Sequence, residues 1–463
     1  MGTITKYILL STLFTTILVS QHGYAQSWNK IGITSPTTGW ATTPAISVDK
    51  NGIVYVAFLN NNDQASVMKY DGSSWTAVGR SNISSGSISN CGEPTPIAVD
   101  TSGDLYIAYP DTNGKATVMK FNGSSWAPLG SPCFSGGAVT GIALAVDANS
   151  STPYVVYPDT GGSKATVMKY NGIGWVAVGT PRFSAGYAFL PSIAIAPDGT
   201  PYIAYCDNSD LNMITVMKYN GTDWVTVGGS HLSAGSALYP SLAIDKTGTP
   251  YVAYMDEAVI SGGATVMKYN GVSWVSVGLA GAAGPGAQFP TLAIDAGGTP
   301  YVSYSDHTTA NQQATVTKYN GSAWVIVGTA GFSAGAVSYA PIAIDPSGAL
   351  YVTYTDTITT VSHVAVMKFD APAPSGVNSI SKHVAASISV FPDPTHGAFT
   401  INISSAVNED AIVIITNILG EQVNELTLPT NKETTMHLYV PPGTYYLSAT
   451  MGNEKATSKI AVE

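Results

Sequence analysis

Arginine is almost missing from this chain: among 463 residues only Arg80 and Arg182 carry a guanidinium, and charged residues of every kind make up 10%. With a formal net charge of -10 there is no basic stripe to neutralise a phosphate backbone, which excludes nucleic acid as a partner. Cysteine is equally scarce. Cys91, Cys133 and Cys206 are an odd number and too few for a disulfide framework, so the fold must stand on packing. Cys91 and Cys133 fall in equivalent loops of neighbouring repeats and could pair, but a role as small apolar fillers is favoured.

Past the N-terminus no apolar run reaches the roughly 18 to 20 residues that span a bilayer, so no integral membrane segment is expected. The N-terminus itself carries Lys6, the apolar run Ile8 to Val19 and then Gly23-Tyr24-Ala25. These are the charged, hydrophobic and small-residue parts of a cleavable secretory signal, assigned to residues 1–25.

What the chain has in abundance is Gly, Ser, Thr, Tyr and Val, a balance that favours strands and tight turns over helices. It also repeats. A tryptophan followed by a short apolar stretch and glycine recurs at Trp28, Trp75, Trp126, Trp175, Trp224, Trp274 and Trp324, about 50 residues apart. Between them the same phrases return, as in Pro240 to Asp245, Pro250 to Tyr254, Ala264 to Gly271 and Trp274 to Gly278. Each unit reads as four short strands. The first two are joined by an Asp-x-x-Gly turn such as Asp245 to Gly248, and the last two by Asn-Gly or Asp-Gly, as at Asp71-Gly72, Asn122-Gly123 and Asn220-Gly221. The strands are apolar almost throughout, which implies sheets covered on both faces.

The phrases occur seven times and are permuted: the chain opens on a fourth-type strand at Trp28 and its last repeat ends on a third-type strand at Phe369. The N-terminal strand is therefore expected to complete the last blade of an all-β, seven-bladed β-propeller over residues 26–370, hiding the open sheet edges. The array resembles propellers of the kelch-like, Asp-box and tryptophan-repeat lectin kind, without matching any of their full signatures.

Ala371 to Gly376 has the composition of a semi-extended linker, drawn at residues 371–380. Beyond it, residues 381–463 contain the phrase Val390-Phe-Pro-Asp-Pro-Thr-His-Gly-Ala-Phe-Thr-Ile401, then Leu419-Gly-Glu-Gln-Val423, then Pro442-Gly-Thr-Tyr445. In the order and spacing of these phrases the tail resembles the type A C-terminal sorting domain of Bacteroidetes type IX secretion, with Asp393 where that family usually has asparagine. The resemblance implies a small Ig-like β-sandwich that the secretion machinery recognises at the outer membrane, and a mature protein that is secreted or held at the cell surface. An ordinary β-sandwich adhesion module is the alternative.

In a four-stranded blade the connections between the fourth and first strands share a face with those between the second and third, and the tight turns lie opposite. Function is expected on the longer-loop face. There the candidate ligand-binding aromatics are Trp40, Tyr187, Phe189, Tyr239, Phe289 and Tyr339, whose rings suit glycan or protein recognition. Phe134, Phe183 and Phe332 occupy the same loops, and the repeated Phe-Ser-Ala-Gly phrase at Phe183 and Phe332 points to plugs between blades. Aspartates follow the second strand at Asp111, Asp159, Asp207, Asp256, Asp306 and Asp356, with Asn60 in the first blade. They could bind cations or sugar hydroxyls, but accepting loop backbone N–H groups is the stronger reading. Asp207 and Asp210 are the candidates for a calcium ion, the one cofactor contemplated. Lysines on every third strand, from Lys69 to Lys368, and the repeated tryptophans are assigned to packing.

A catalytic constellation is missing. Within 26–370 the only glutamates are Glu93 and Glu257 and the only histidines His231, His307 and His363. No metal-ligand spacing, Gly-x-Ser-x-Gly elbow or phosphate loop occurs, and two arginines are one short of a sialidase-like site. Aspartate pairs alone keep a polysaccharide hydrolase or lyase open. The expectation is a secreted or cell-surface propeller that binds extracellular carbohydrate or polymer and is not an enzyme, with a protein-adhesion or structural scaffold as the alternative.

Overall fold

The repeated apolar phrases become strands because each is β-branched or aromatic at most positions and is bounded by Gly, Asn or Asp turns. The computed structural model describes residues 27–369, except 33–35, 38, 89–93, 160–162, 260–261, 310 and 357–361, and residues 387–463, except 406–409, 419–420 and 452–453. The signal segment 1–25, the linker 371–380, Cys91 and Glu93 lie outside the described residues. The chain divides into two units, Met1–Pro372 and Ala373–Glu463.

The first unit holds seven antiparallel sheets among the described residues, six running in chain order from the first strand to the fourth and the seventh taking its fourth strand from the N-terminal segment. They cover residues 41–77, 97–128, 143–177, 188–226, 237–276 and 287–326, and finally 342–369 joined by Trp28–Lys30; in this order they are blades 1 to 7. Blade 5 gains a two-residue fifth strand, Gly284–Pro285. Closure by the N-terminal strand occurs as expected, with Trp28 opposite Phe369, Asn29 opposite Lys368 and Lys30 opposite Met367. Blade 1 then packs on blade 7 through Ile31, Val54, Val56, Phe58, Tyr351, Val364 and Val366. The ring is complete.

Within a blade, successive side chains face opposite neighbours, which explains why the strands read as apolar without alternation. In the second strand of blade 4, Pro201–Asp207, Ile203 and Tyr205 pack on blade 3 while Tyr202, Ala204 and Cys206 pack on blade 5. Cys206 is a fully buried member of that apolar interface.

The tryptophans fasten each blade to the one before it. At all seven junctions the indole N–H donates to a backbone carbonyl of the preceding blade, at 2.6–3.0 Å, including Trp28 to Val327 and Trp75 to Ile31 across the closure. The glycine that ends each tryptophan phrase makes room for the next indole: at Gly179, φ is +70° and a Cβ would lie 3.2 Å from Trp224 Cδ1 and 3.1 Å from the Tyr219 ring. The plugs are equally regular. Phe134, Phe183 and Phe332 stack on Trp175, Trp224 and Trp28 with centroids 4.5, 4.6 and 4.2 Å apart.

The second unit is a two-sheet antiparallel β-sandwich. Ser387–Phe391, Ala398–Ser404 and Glu433–His437 form one sheet, and Gln422–Pro429, Asp410–Thr416, Gly443–Met451 and Glu454–Val462 the other. Phe399, Ile401, Val413, Ile415, Leu447 and Ile460 are at the centre of its core.

Two predictions follow from this packing. Trp126→Phe removes an indole N–H that serves the buried carbonyl of Val78, and should lower stability by about 1–3 kcal/mol in chemical denaturation. Burial pushes the phenols of Tyr109 and Tyr354 up to about 12 from the ordinary 10.0. A raised pKa gives stability that is whole below the unfolded value and lost as pH rises through the folded one, so thermal midpoints should fall between pH 10 and 12.

Candidate functional site

The first strands line the axis of the ring, and four of them are irregular. In blades 1, 4, 5 and 6 they begin at Ala41, Ala188, Ala237 and Ala287, ahead of the Pro positions at which the sequence phrases start. Each contains a register shift, between Thr42 and Ala45, Phe189 and Ser192, Leu238 and Ser241, and Gln288 and Thr291. At the bulge a non-glycine residue takes a left-handed conformation: Thr43, Leu190, Tyr239 and Phe289 have φ of 49°, 51°, 54° and 52°. Such backbone is costly for a side chain with a Cβ, more so for aromatic ones, and concentrates where a residue must be aimed.

The bulges aim aromatics at the mouth of the ring. Phe189, Tyr239 and Phe289 are therefore in the first strands, a correction to their placement in the loops before them. The rings of Tyr239 and Phe289 are 4.6 Å apart, those of Phe289 and Tyr339 4.5 Å, and those of Tyr239 and Tyr339 6.4 Å. Phe189, Tyr239, Phe289 and Tyr339 line one wall of a central cavity of about 310 Å³. Small and Pro-flanked residues of blades 1, 2 and 3, such as Ala45, Pro96 and Gly141, form the other wall. Among the described residues that line it there is no lysine, arginine, histidine, cysteine or carboxylate. Its polar atoms come from Thr140, Ser192, Ser241, Thr291 and the two tyrosines, and Ser192 and Ser241 already accept the amides of Leu242 and Leu292 in the next blade.

Tyr187 is next to this wall, 5.8 Å from Phe189, with its hydroxyl 3.4 Å from that of Thr140. Trp40 does not join it: it is 44% exposed just before the first strand of blade 1 and does not line the cavity.

The aspartates do not converge either. Asp111, Asp159, Asp207, Asp256 and Asp306 are buried and Asp356 half-buried, each at the end of its blade's second strand. Their carboxylates serve their own blades. Asp111 accepts the amides of Asn113 and Lys115 at 2.9 and 2.8 Å and the Cys133 thiol at 2.6 Å. Burial pushes the Asp111 carboxyl up, but these donors outweigh it and hold it below the usual range; the same contact, with burial second, raises the Cys133 thiol. Asp159 takes a two-pronged ion pair from Arg182 at 3.2 Å. Asp256 and Asp306 each accept a loop amide and a third-strand threonine hydroxyl. Asp207 accepts the amide and hydroxyl of Ser209, and the side chain of its calcium partner Asp210 lies outside the described residues. Among the described residues no group of three His, Cys, Asp or Glu side chains could hold a metal ion.

Residues 389–463 match the family described as the secretion system C-terminal sorting domain, so the tail is a sorting module. No protein of curated function matches the chain. It is similar to the SapL1 lectin solved with alpha methyl fucoside, at 15% identity over 63% of this chain and 97% of that one, TM-score 0.44. It is also similar to the six-bladed β-propeller lectin of Aleuria aurantia, at 17% over 64% and 99%, TM-score 0.45, and to polysaccharide lyase Uly1, at 10% over 77% and 94%, TM-score 0.49. The count of seven blades comes from this chain's own sheets.

Because Asp306 satisfies loop and strand donors, Asp306→Ala should cost about 1–3 kcal/mol in denaturant titration. Ligand binding at the central cavity should be unchanged; a binding loss without a stability loss would make this carboxylate a ligand group.

Proposed function

We propose that this is a secreted or cell-surface binding protein that leaves the cell by type IX secretion through its sorting tail and holds extracellular carbohydrate or polymer in the central cavity of its propeller. One observation carries the reading: four aromatic rings from successive blades form an uncharged wall, three of them on strands bulged to present them. Flat rings with a few hydroxyls nearby suit the apolar face and hydroxyl edge of a sugar. Acid–base and nucleophilic steps need titratable groups within reach of the substrate, and among the described residues the lining offers only tyrosines. Binding is therefore the reading proposed, and a hydrolase or lyase the alternative it displaces.

A glycan array with the full chain, run with calcium and with chelator, tests it. Saturable, competable binding is expected, and Tyr239→Ala or Phe289→Ala should weaken it about three- to tenfold, the worth of one stacked ring. Binding that survives both substitutions would move the site off the cavity. A blank array with retained attachment to cells or partner proteins would point instead to a protein-adhesion or structural scaffold, and depolymerisation of a bound polysaccharide to an enzyme.

A further inference from the structure

On the face that carries the tight turns, a lysine of each third strand stands opposite a tyrosine of the second, as in the pairs Tyr154 and Lys169, Tyr202 and Lys218, and Tyr251 and Lys268. The junction of blades 3 and 4 opens there into a cleft of about 530 Å³ lined by Tyr154, Lys169, Asp198, Thr200 and Lys218. The junction of blades 4 and 5 repeats it, at about 600 Å³, with Tyr202, Asp245, Thr249, Tyr251 and Lys268. Both sit at the same register of the repeat.

Blade 2 shows what a neutralised version looks like. Its turn places Asp104 directly after Gly103, and that carboxylate pairs with Lys120 at 2.7 Å. Blades 3, 4, 5 and 6 have Thr152, Thr200, Thr249 and Thr299 at the equivalent place. Lys169, Lys218 and Lys268 are half-buried and make no ion pair among the described residues. The aspartates that do line the clefts face their own turns. Oδ1 of Asp245 accepts three donors from Thr247 and Thr249. The amide of Thr200 does most to hold the Asp198 carboxyl low, with Lys218 the smallest contributor. Asp198 and Asp245 share the clefts with these lysines but lie beyond ion-pair distance. A half-buried ammonium without a close ion pair is poorly accommodated, and repeated at successive junctions it makes a row of cationic sites.

We propose that these inter-blade clefts receive anionic groups, sulfate or carboxylate, carried at intervals along an extended polymer. Lys169 and Lys218 supply the charge in the first cleft and Lys268 in the second, and threonine and tyrosine hydroxyls supply further donors. A net charge of -10 repels polyanions as a whole, so capture requires these local sites, and several weak sites on one polymer act together. The inference is independent of the central cavity.

The test is binding of dextran sulfate, polygalacturonate and neutral dextran to the full chain, with and without 0.5 M salt (roughly a Debye length below 5 Å). Salt-sensitive binding of at least one polyanion and none of dextran is expected; which polyanion binds names the group. Substituting Lys169→Gln, Lys218→Gln and Lys268→Gln together keeps most of each stem and should weaken binding on the order of tenfold or more at an unchanged thermal midpoint. Thr249→Asp, which copies the blade 2 arrangement, should weaken it in part. Lys459→Gln, which removes an exposed lysine of the sorting domain, should leave it unchanged. The proposal is overturned if neither polyanion binds, or if the triple variant binds as the unaltered chain does.

Discussion

Each blade of this propeller is tied to its predecessor by one indole N–H, and the ring exists because that bond recurs without a gap. Its geometry sets requirements on three neighbours at once. The preceding blade must end its fourth strand with a free carbonyl, a glycine must follow so that the indole can approach, and an aromatic must close the third strand beside it, as Tyr219 does for Trp224. Those requirements are the repeat. The valine, glycine and tryptophan of the recurring phrase are three parts of one inter-blade contact, which is why the period survives while the loops between differ in length and content.

Much of this was legible in the sequence because each signal is local. Asn-Gly turns, apolar strands without alternation and a tryptophan series that starts one strand early specify hairpins, two-sided burial and closure by the N-terminal strand. The Phe183 and Phe332 plugs were legible for the same reason, being part of a repeated phrase. What escaped was set by pairing across strands. Pro191, Pro240 and Pro290 read as strand starts, since proline cannot donate in a ladder. The partner strands instead carry the pairing past them through a bulge, which brings Phe189, Tyr239 and Phe289 into the sheet. The left-handed turn of the residue before each proline is visible only in the folded chain.

The two faces of the ring differ in chemistry. At one, aromatic side chains gather around an opening whose described lining carries no charge; at the other, lysines stand in clefts between blades. The aspartates that looked most like a functional ring belong to neither. They serve as turn and strand acceptors, and their recurrence reflects a folding requirement shared by the blades. Repetition marks what every blade needs in order to fold. Departure from it, as at the bulged strands and at Asp104, marks where one blade differs from another in what it presents.

The strand Trp28–Lys30 completes a sheet whose other members are Ile342–Ile344, Leu350–Asp356 and His363–Phe369, and its indole reaches a carbonyl 299 residues away. It is the fourth strand of that sheet, so the last blade stays three-stranded until both ends of the array are present together. Loop closure over that distance is entropically slow to achieve and comes after the local hairpins. The molecule thus has a built-in order of assembly. Six blades can form and stack as an open arc, with a bare edge at 342–369, and only the meeting of first and last strands locks it. The same topology ties completion of the ring to the arrival of the strand His363–Phe369, on which Trp28–Lys30 pairs.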